Sequence, residues 1–227
     1  GPADGEASKV GVAVADLATG QNAATAILAA LLQRAGDGRG QRIDVSLFDT
    51  QLSLLANVAA NALFDGVDAP RFGNAHPSIV PYQAFAARDQ SFVLAVASEK
   101  LWAQLCRTLG QPGWLEDARW RNNAARVANR DSLCAALAEL FGSQDAAHWL
   151  ALFERAGIPA APINSVRQAL EHPVAQARGM RYELGGIPMV GSPIRLSGSP
   201  ARRELPPPKL GEHSDAIARA AGFDPRE

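Results

Sequence analysis

An α/β fold in two parts is predicted by three observations. Residues 10–65 alternate short strand-like stretches with long apolar helical ones, in the order β-α-β-α. That order suits the last units of a parallel sheet with helices packed on it. Residues 80–97 read instead as an antiparallel hairpin, and amphipathic helices follow it. Between the two lies a stretch punctuated by Pro70, Gly73 and Pro77, too irregular for the interior of an element. The boundaries this implies are 1–65 for part of a larger domain, 66–74 for a linker, 75–175 for a small α/β domain, and 176–227 for a second linker and a return to the larger domain.

Residues 10–15 read as a short strand running into Asp16. Residues 17–34 carry Ala, Leu and Ile on nearly every face, which predicts a buried helix. Gly36, Gly38 and Gly40 stop it. Ile43, Val45 and Leu47 alternate with Asp44, Ser46 and Phe48, as in a half-buried strand. Residues 48–64 form a second apolar helix, ended by Asp65 and Gly66. The hairpin strands are 80–86 and 91–97. Leu101, Trp102, Leu105 and Leu109 then fall at helical spacing, so 100–109 is an amphipathic helix.

Two further helices are predicted at 131–141 and 144–156, each entered through a capping residue. Pro159 and Pro162 exclude helix from the next stretch, and Ser165 begins a short helix reaching Glu171. Residues 182–196 are short strands broken by Gly and Pro, and Ser214 caps a last helix. All four tryptophans (Trp102, Trp114, Trp120 and Trp149) fall in the small domain and read as core.

Bulk composition excludes several classes. Hydrophobic residues make up 47% of the chain and charged ones 20%, a globular balance rather than a disordered one. A formal charge of −1 gives no basic field for nucleic acid. No apolar run reaches bilayer length, and the opening residues do not form a signal peptide, so no membrane partner is expected. The two cysteines, Cys106 and Cys134, lie in helical patterns and read as buried thiols, consistent with a reducing, cytoplasmic setting. His76, His148, His172 and His213 show no ligand spacing, so no metal is expected.

Four ordered motifs carry the chemistry. The first is Lys9-Val-Gly-Val-Ala-Val-Ala-Asp-Leu-Ala-Thr-Gly20, which sets Asp16 at the start of a long helix. A carboxylate there meets the positive end of the helix dipole. The others are Gly36-Asp-Gly-Arg-Gly-Gln-Arg-Ile-Asp-Val-Ser-Leu-Phe-Asp-Thr50, Gly73-Asn-Ala-His-Pro-Ser-Ile-Val-Pro-Tyr-Gln83 and Pro206-Pro-Pro-Lys-Leu-Gly-Glu-His-Ser-Asp215. In this order they resemble the family III CoA-transferases, the CaiB/BaiF or formyl-CoA transferase-like group that includes the α-methylacyl-CoA racemases.

The resemblance implies that the first part belongs to a Rossmann-like large domain. It makes Asp16 the nucleophile that attacks an acyl-CoA thioester, and coenzyme A a substrate, with no cofactor needed. Gly73, Asn74 and His76 match a mobile loop that closes over the aspartate and contacts substrate. Glu99 matches a proton-transfer base of the racemase branch, so a 2-methylacyl-CoA racemase is the first alternative function. Asp44 and Asp49 belong to a shared motif and read as structural, satisfying nearby backbone donors.

Family chains are much longer, and Asp16 matches a position well inside them. The residues therefore correspond to the C-terminal portion, a fragment lacking an N-terminal half that supplies most contacts to the CoA nucleotide. The implied partners are acyl-CoA and carboxylic acid substrates, and a homodimer or an association with that half. A non-catalytic subunit acting in assembly is the second alternative.

Overall fold

The computed structural model describes residues 1–223, which form two units: Gly1–Pro162, and a second that begins at Ile163. It is a mixed helix-and-sheet protein, as the fold class predicted, but its two small sheets are both antiparallel.

The first unit opens with α1 (Val14–Asp37), a 24-residue helix closed by Gly38 in the left-handed conformation at φ 73°. Two shorter helices follow, α2 (Leu47–Ser53) and α3 (Ala56–Asp65). The Ser46 hydroxyl caps α2 by accepting from the Asp49 amide at 2.9 Å. The single helix expected over 48–64 is thus broken at Leu54 and Leu55, where Ala56 turns to φ 45°. That conformation costs an L-residue about 1–2 kcal/mol.

Neither strand expected in this region forms: residues 10–13 and 39–46 are irregular. A strand is stable only when a neighbour pairs its N–H and C=O groups, and among the described residues none lies alongside. Helix α1 corrects the sequence reading in a second way. It packs against α2 but buries no residue, leaving Leu28 67% and Leu32 78% exposed.

From Val80 the unit builds a closed core. Strands β1 (Tyr82–Ala86) and β2 (Ser91–Ala95) pair with Phe85 opposite Phe92, and β3 (Ala160–Pro162) joins the other edge of β2. Helices α4 (Glu99–Thr108), α5 (Asn123–Ala128), α6 (Arg130–Phe141) and α7 (Ala146–Ala156) lie between β2 and β3 in the chain. A 3₁₀ turn at Pro112–Leu115 precedes α5, and the sequence pattern predicted neither element.

Phe141 is the centre of this core. Its ring meets Phe85, Phe92 and Trp149 edge-on at 5.2 Å, and its carbonyl accepts from the Trp149 indole at 2.9 Å. Trp114 stacks on Trp102 and meets Trp120 edge-on, so all four tryptophans do pack into the core or against it.

Capping is uneven, and it differs from the expectation at α6 and α7. Ser98 caps α4 through the Leu101 amide. Neither Asn129 before α6 nor Asp145 before α7 makes a side-chain cap: the Asn129 side chain donates to the Ala125 carbonyl at 2.9 Å, and Asp145 pairs with Arg88 at 2.9 Å. The Ala146 amide turns instead to the Asp89 carboxylate at 2.7 Å, and that bond holds the carboxyl below its ordinary pKa.

In the second unit, Ser165 and Gln168 form a reciprocal capping box at the start of α8 (Val166–Glu171). The short helix α9 (Pro173–Ala177) follows. A hairpin of β4 (Arg181–Leu184) and β5 (Ile187–Val190) turns through Gly185 and Gly186, both at positive φ, as a two-residue hairpin turn requires. The last described helix is α10 (Ser214–Ala220), where Ser214 is the first helical residue and His213 precedes it without a side-chain cap.

Candidate active site

Asp16 sits in the first turn of α1 and is exposed. First-turn amides have no carbonyl of their own helix to bond, so this end carries partial positive charge. The cleft beside Asp16 has a volume of about 480 Å³ and is walled by Lys9, Val10, Val12 and, from α2, Gln51. Helices α1 and α2 are tied by a bond from the Asn22 amide to the hydroxyl of Thr50, which is 4% exposed. Asp16 is therefore an exposed carboxyl group at a helix start, beside an open cleft.

The other predicted site residues line different surroundings. Gly73 takes φ 62°, and Asn74 accepts from the Ala84 amide at 2.9 Å through its side-chain oxygen. Both line a cleft of about 570 Å³ with Phe72, Gln83 and Arg130. The His76 ring stacks on Tyr82 at 5.3 Å, its Nδ1 accepts from the Ser78 amide, and its own amide donates to the Tyr82 carbonyl. The loop is thus pinned by local bonds, and the clefts of Asp16 and of Gly73 are separate.

Glu99 has a different role from its neighbours. Arg126 is 1% exposed and donates to both Glu99 carboxylate oxygens, at 3.0 and 3.2 Å. The Asn123 amide donates to the same carboxylate at 2.7 Å. Partial burial pushes the Glu99 carboxyl up, but these hydrogen bonds outweigh it and hold the carboxyl below its ordinary pKa. The Arg126 guanidinium also lies over the Trp102 ring at 4.7 Å and bonds the carbonyls of Val80 and Trp120. Glu99 is therefore bound as an ion-pair partner at the start of α4.

Asp44 pairs with Arg42 at 3.6 Å rather than with a backbone donor, and the Asp49 amide is the group that Ser46 caps. Both thiols are free; burial pushes Cys106 up to about 12 and raises Cys134, so each stays protonated at neutral pH. Among the described residues no group of three His, Cys, Asp or Glu could hold a metal ion, and no helix is long and apolar enough to cross a membrane.

Sequence reasoning missed Asn123, Arg126 and Arg130. No local pattern marks them, since Asn123 and Arg126 lie on α5, Arg130 opens α6, and the backbone groups they hold are far away in the chain.

The protein is thus of mixed helix and sheet, with the exposed carboxylate of Asp16 at a helix start. The model of CoA-transferase family III matches residues 1–214, and the chain belongs to that family. The succinyl-CoA:glutarate CoA-transferase of Mus musculus is 39% identical over 96% of this chain and 51% of its own length. The acetyl-CoA:oxalate CoA-transferase of Acetobacter aceti is 36% identical over 95% of this chain and 56% of its own. A CaiB/BaiF family protein from Brucella suis superposes with a TM-score of 0.79 at 41% identity, covering 97% of this chain and 58% of that one. The chain spans about half the length of the curated relatives it matches.

Proposed function

We propose that this protein acts in moving CoA between carboxylic acids, with Asp16 as the nucleophile. The observation that carries the reading is the similarity over 96% of the chain to transferases named for succinyl-CoA and glutarate, joined to an exposed Asp16 at the start of α1. A carboxylate oxygen of Asp16 attacks the thioester carbonyl, the C–S bond breaks, and CoA leaves as the thiolate with a mixed anhydride behind it. The thiolate then attacks the aspartyl carbonyl, releasing the first acid and leaving an aspartyl-CoA thioester. An acceptor carboxylate repeats the two steps in reverse. The helix start favours the charge on Asp16 and the oxyanion that develops beside it.

Dicarboxylic acids are the substrates this reading favours, because the relatives with succinate and glutarate in their names match at 36–39% identity. Coenzyme A enters as a substrate, no resident cofactor is required, and the enzyme acts as a homodimer. The two free thiols are in keeping with a reducing, cytoplasmic setting. Glu99 is committed to Arg126 and Asn123, which leaves the racemase alternative without a free base at that position.

The test is to incubate the active assembly with succinyl-CoA and map covalent CoA by peptide mass spectrometry. The adduct is expected on Asp16 and should vanish in Asp16→Asn. Transfer that proceeds in Asp16→Asn without deamidation would sink the assignment.

A further inference from the structure

Residues 76–81 include two prolines and lie outside the sheet, so few of their backbone groups have a ladder partner. Three side chains take that place. Arg130 donates through Nη2 to the carbonyls of His76 and Pro77, both at 2.9 Å. Asn123 donates to the Ser78 carbonyl at 2.8 Å and accepts from the Val80 amide at 3.2 Å. Arg126 donates to the Val80 carbonyl at 2.7 Å. The carbonyls of this segment are thus taken by three side chains from α5 and the start of α6, like a rail laid along the strand entry.

The two arginines are held differently. Arg126 is buried on the core by Glu99, Trp102 and Trp120, so it fixes the end of the segment near Val80. Arg130 is only half-buried, its guanidinium 5.9 Å from the Phe72 ring, and it reaches the loop itself. Phe72, His76 and Pro77 bracket Gly73 and Asn74, so one guanidinium grips both flanks of the candidate substrate loop. The carbonyls it holds belong to half-buried residues that water can reach, whereas Val80 is fully buried. Losing Arg130 therefore loosens the loop without opening the core.

We propose that Arg130 is a positioning residue that sets the 73–77 loop against α6, with Asn123 and Arg126 as its fixed footing. The proposal rests on the reading in which that loop meets substrate, and its first test is independent of turnover.

The measurement is amide hydrogen exchange on the full chain as wild type, Arg130→Gln and Arg130→Lys. The amides of Ala75, His76 and Ser78, bonded to the Phe72 carbonyl, the Tyr82 carbonyl and the His76 ring, should exchange about tenfold faster in Arg130→Gln. They should fall between the two in Arg130→Lys, which keeps the charge but grips one carbonyl at a time. Protection in β1, β2 and α4 should not change. Unchanged loop exchange in both variants, or equal acceleration across the β1–β2 ladder, would overturn the proposal. Should Arg130→Gln fail to fold, Arg130→Lys decides alone: wild-type exchange at the three amides refutes the grip. In the transferase assembly Arg130→Lys should lower kcat while leaving KM for succinyl-CoA near its wild-type value. A wild type without CoA transfer would count against the proposed function and leave the exchange result standing.

Discussion

The helices before Asp65 and the segment from Val80 to Ile158 have similar apolar sequences and opposite fates. In α1, α2 and α3 the one buried side chain is Thr50, while Leu63 and Phe64 are 86% and 91% exposed. From Val80 to Ile158, by contrast, Phe92, Leu94, Leu105, Leu133, Leu137, Phe141 and Phe153 are wholly buried. Local propensity is sufficient in both regions to make helices. The later region is closed because α6 and α7 pack on its hairpin, α4 packs on α7, and its aromatic rings interlock. In the earlier one, helices packed on each other leave most of their apolar surface in water. Apolar content alone therefore says nothing about stability; what counts is the surface removed from water, at about 25 cal/mol per Å².

The largest expected effect separates these regions directly. Phe141→Ala should destabilise the fold by about 3–5 kcal/mol, since it empties the meeting point of four aromatic rings. Leu28→Ala in α1 should cost about 0.5 kcal/mol or less. Urea unfolding of the two variants against wild type checks both values. Comparable losses would mean that α1 shares the core's cooperativity.

A smaller effect is expected where the polar rail meets the core. Arg126→Met should cost about 3 kcal/mol, because the Val80 and Trp120 carbonyls lose their donor inside the protein. Glu99→Gln should cost less, about 1–2 kcal/mol, because the Glu99 side chain is 55% exposed and solvent screens its share of the pair. Thermal unfolding gives the ranking, and a Glu99→Gln loss equal to that of Arg126→Met would contradict it.

The smallest effect is a dependence on pH. The folded-state carboxyl of Glu99 lies below its unfolded value, so its contribution is complete above the unfolded pKa and is lost as pH falls through the folded one. The stability gap between wild type and Glu99→Gln should be full at neutral pH and shrink between about pH 5 and pH 3. A gap that widens on acidification would show that the carboxyl is not held down by Arg126.

The active-site comparison is sharpened in the same way. Asp16 belongs to the open region and the Gly73–His76 loop to the entry of the closed one, in separate clefts. Asp16 depends on little beyond its own helix for its position, whereas the backbone from His76 to Val80 is held by groups from α5 and α6, some fifty residues further along the chain.

Much of this was legible in the sequence for local reasons. Apolar periodicity located α1, α4, α6 and α7, the Ser165 cap located α8, and alternation located the β1–β2 hairpin, because helices and short hairpins are decided by neighbours in the chain. The four motifs identified the family from the order of their residues alone. Strands at 10–15 and 43–47 were not decidable that way, since a strand exists only beside a partner. Nor was the exposure of α1, which depends on what packs against it. The pairing of Glu99 with Arg126, and of Arg130 with two loop carbonyls, joins residues 27 and 53–54 positions apart. Such contacts leave no periodic trace in the chain, because burial and hydrogen-bond partners across that distance are created only when the hairpin and the helices close on one another.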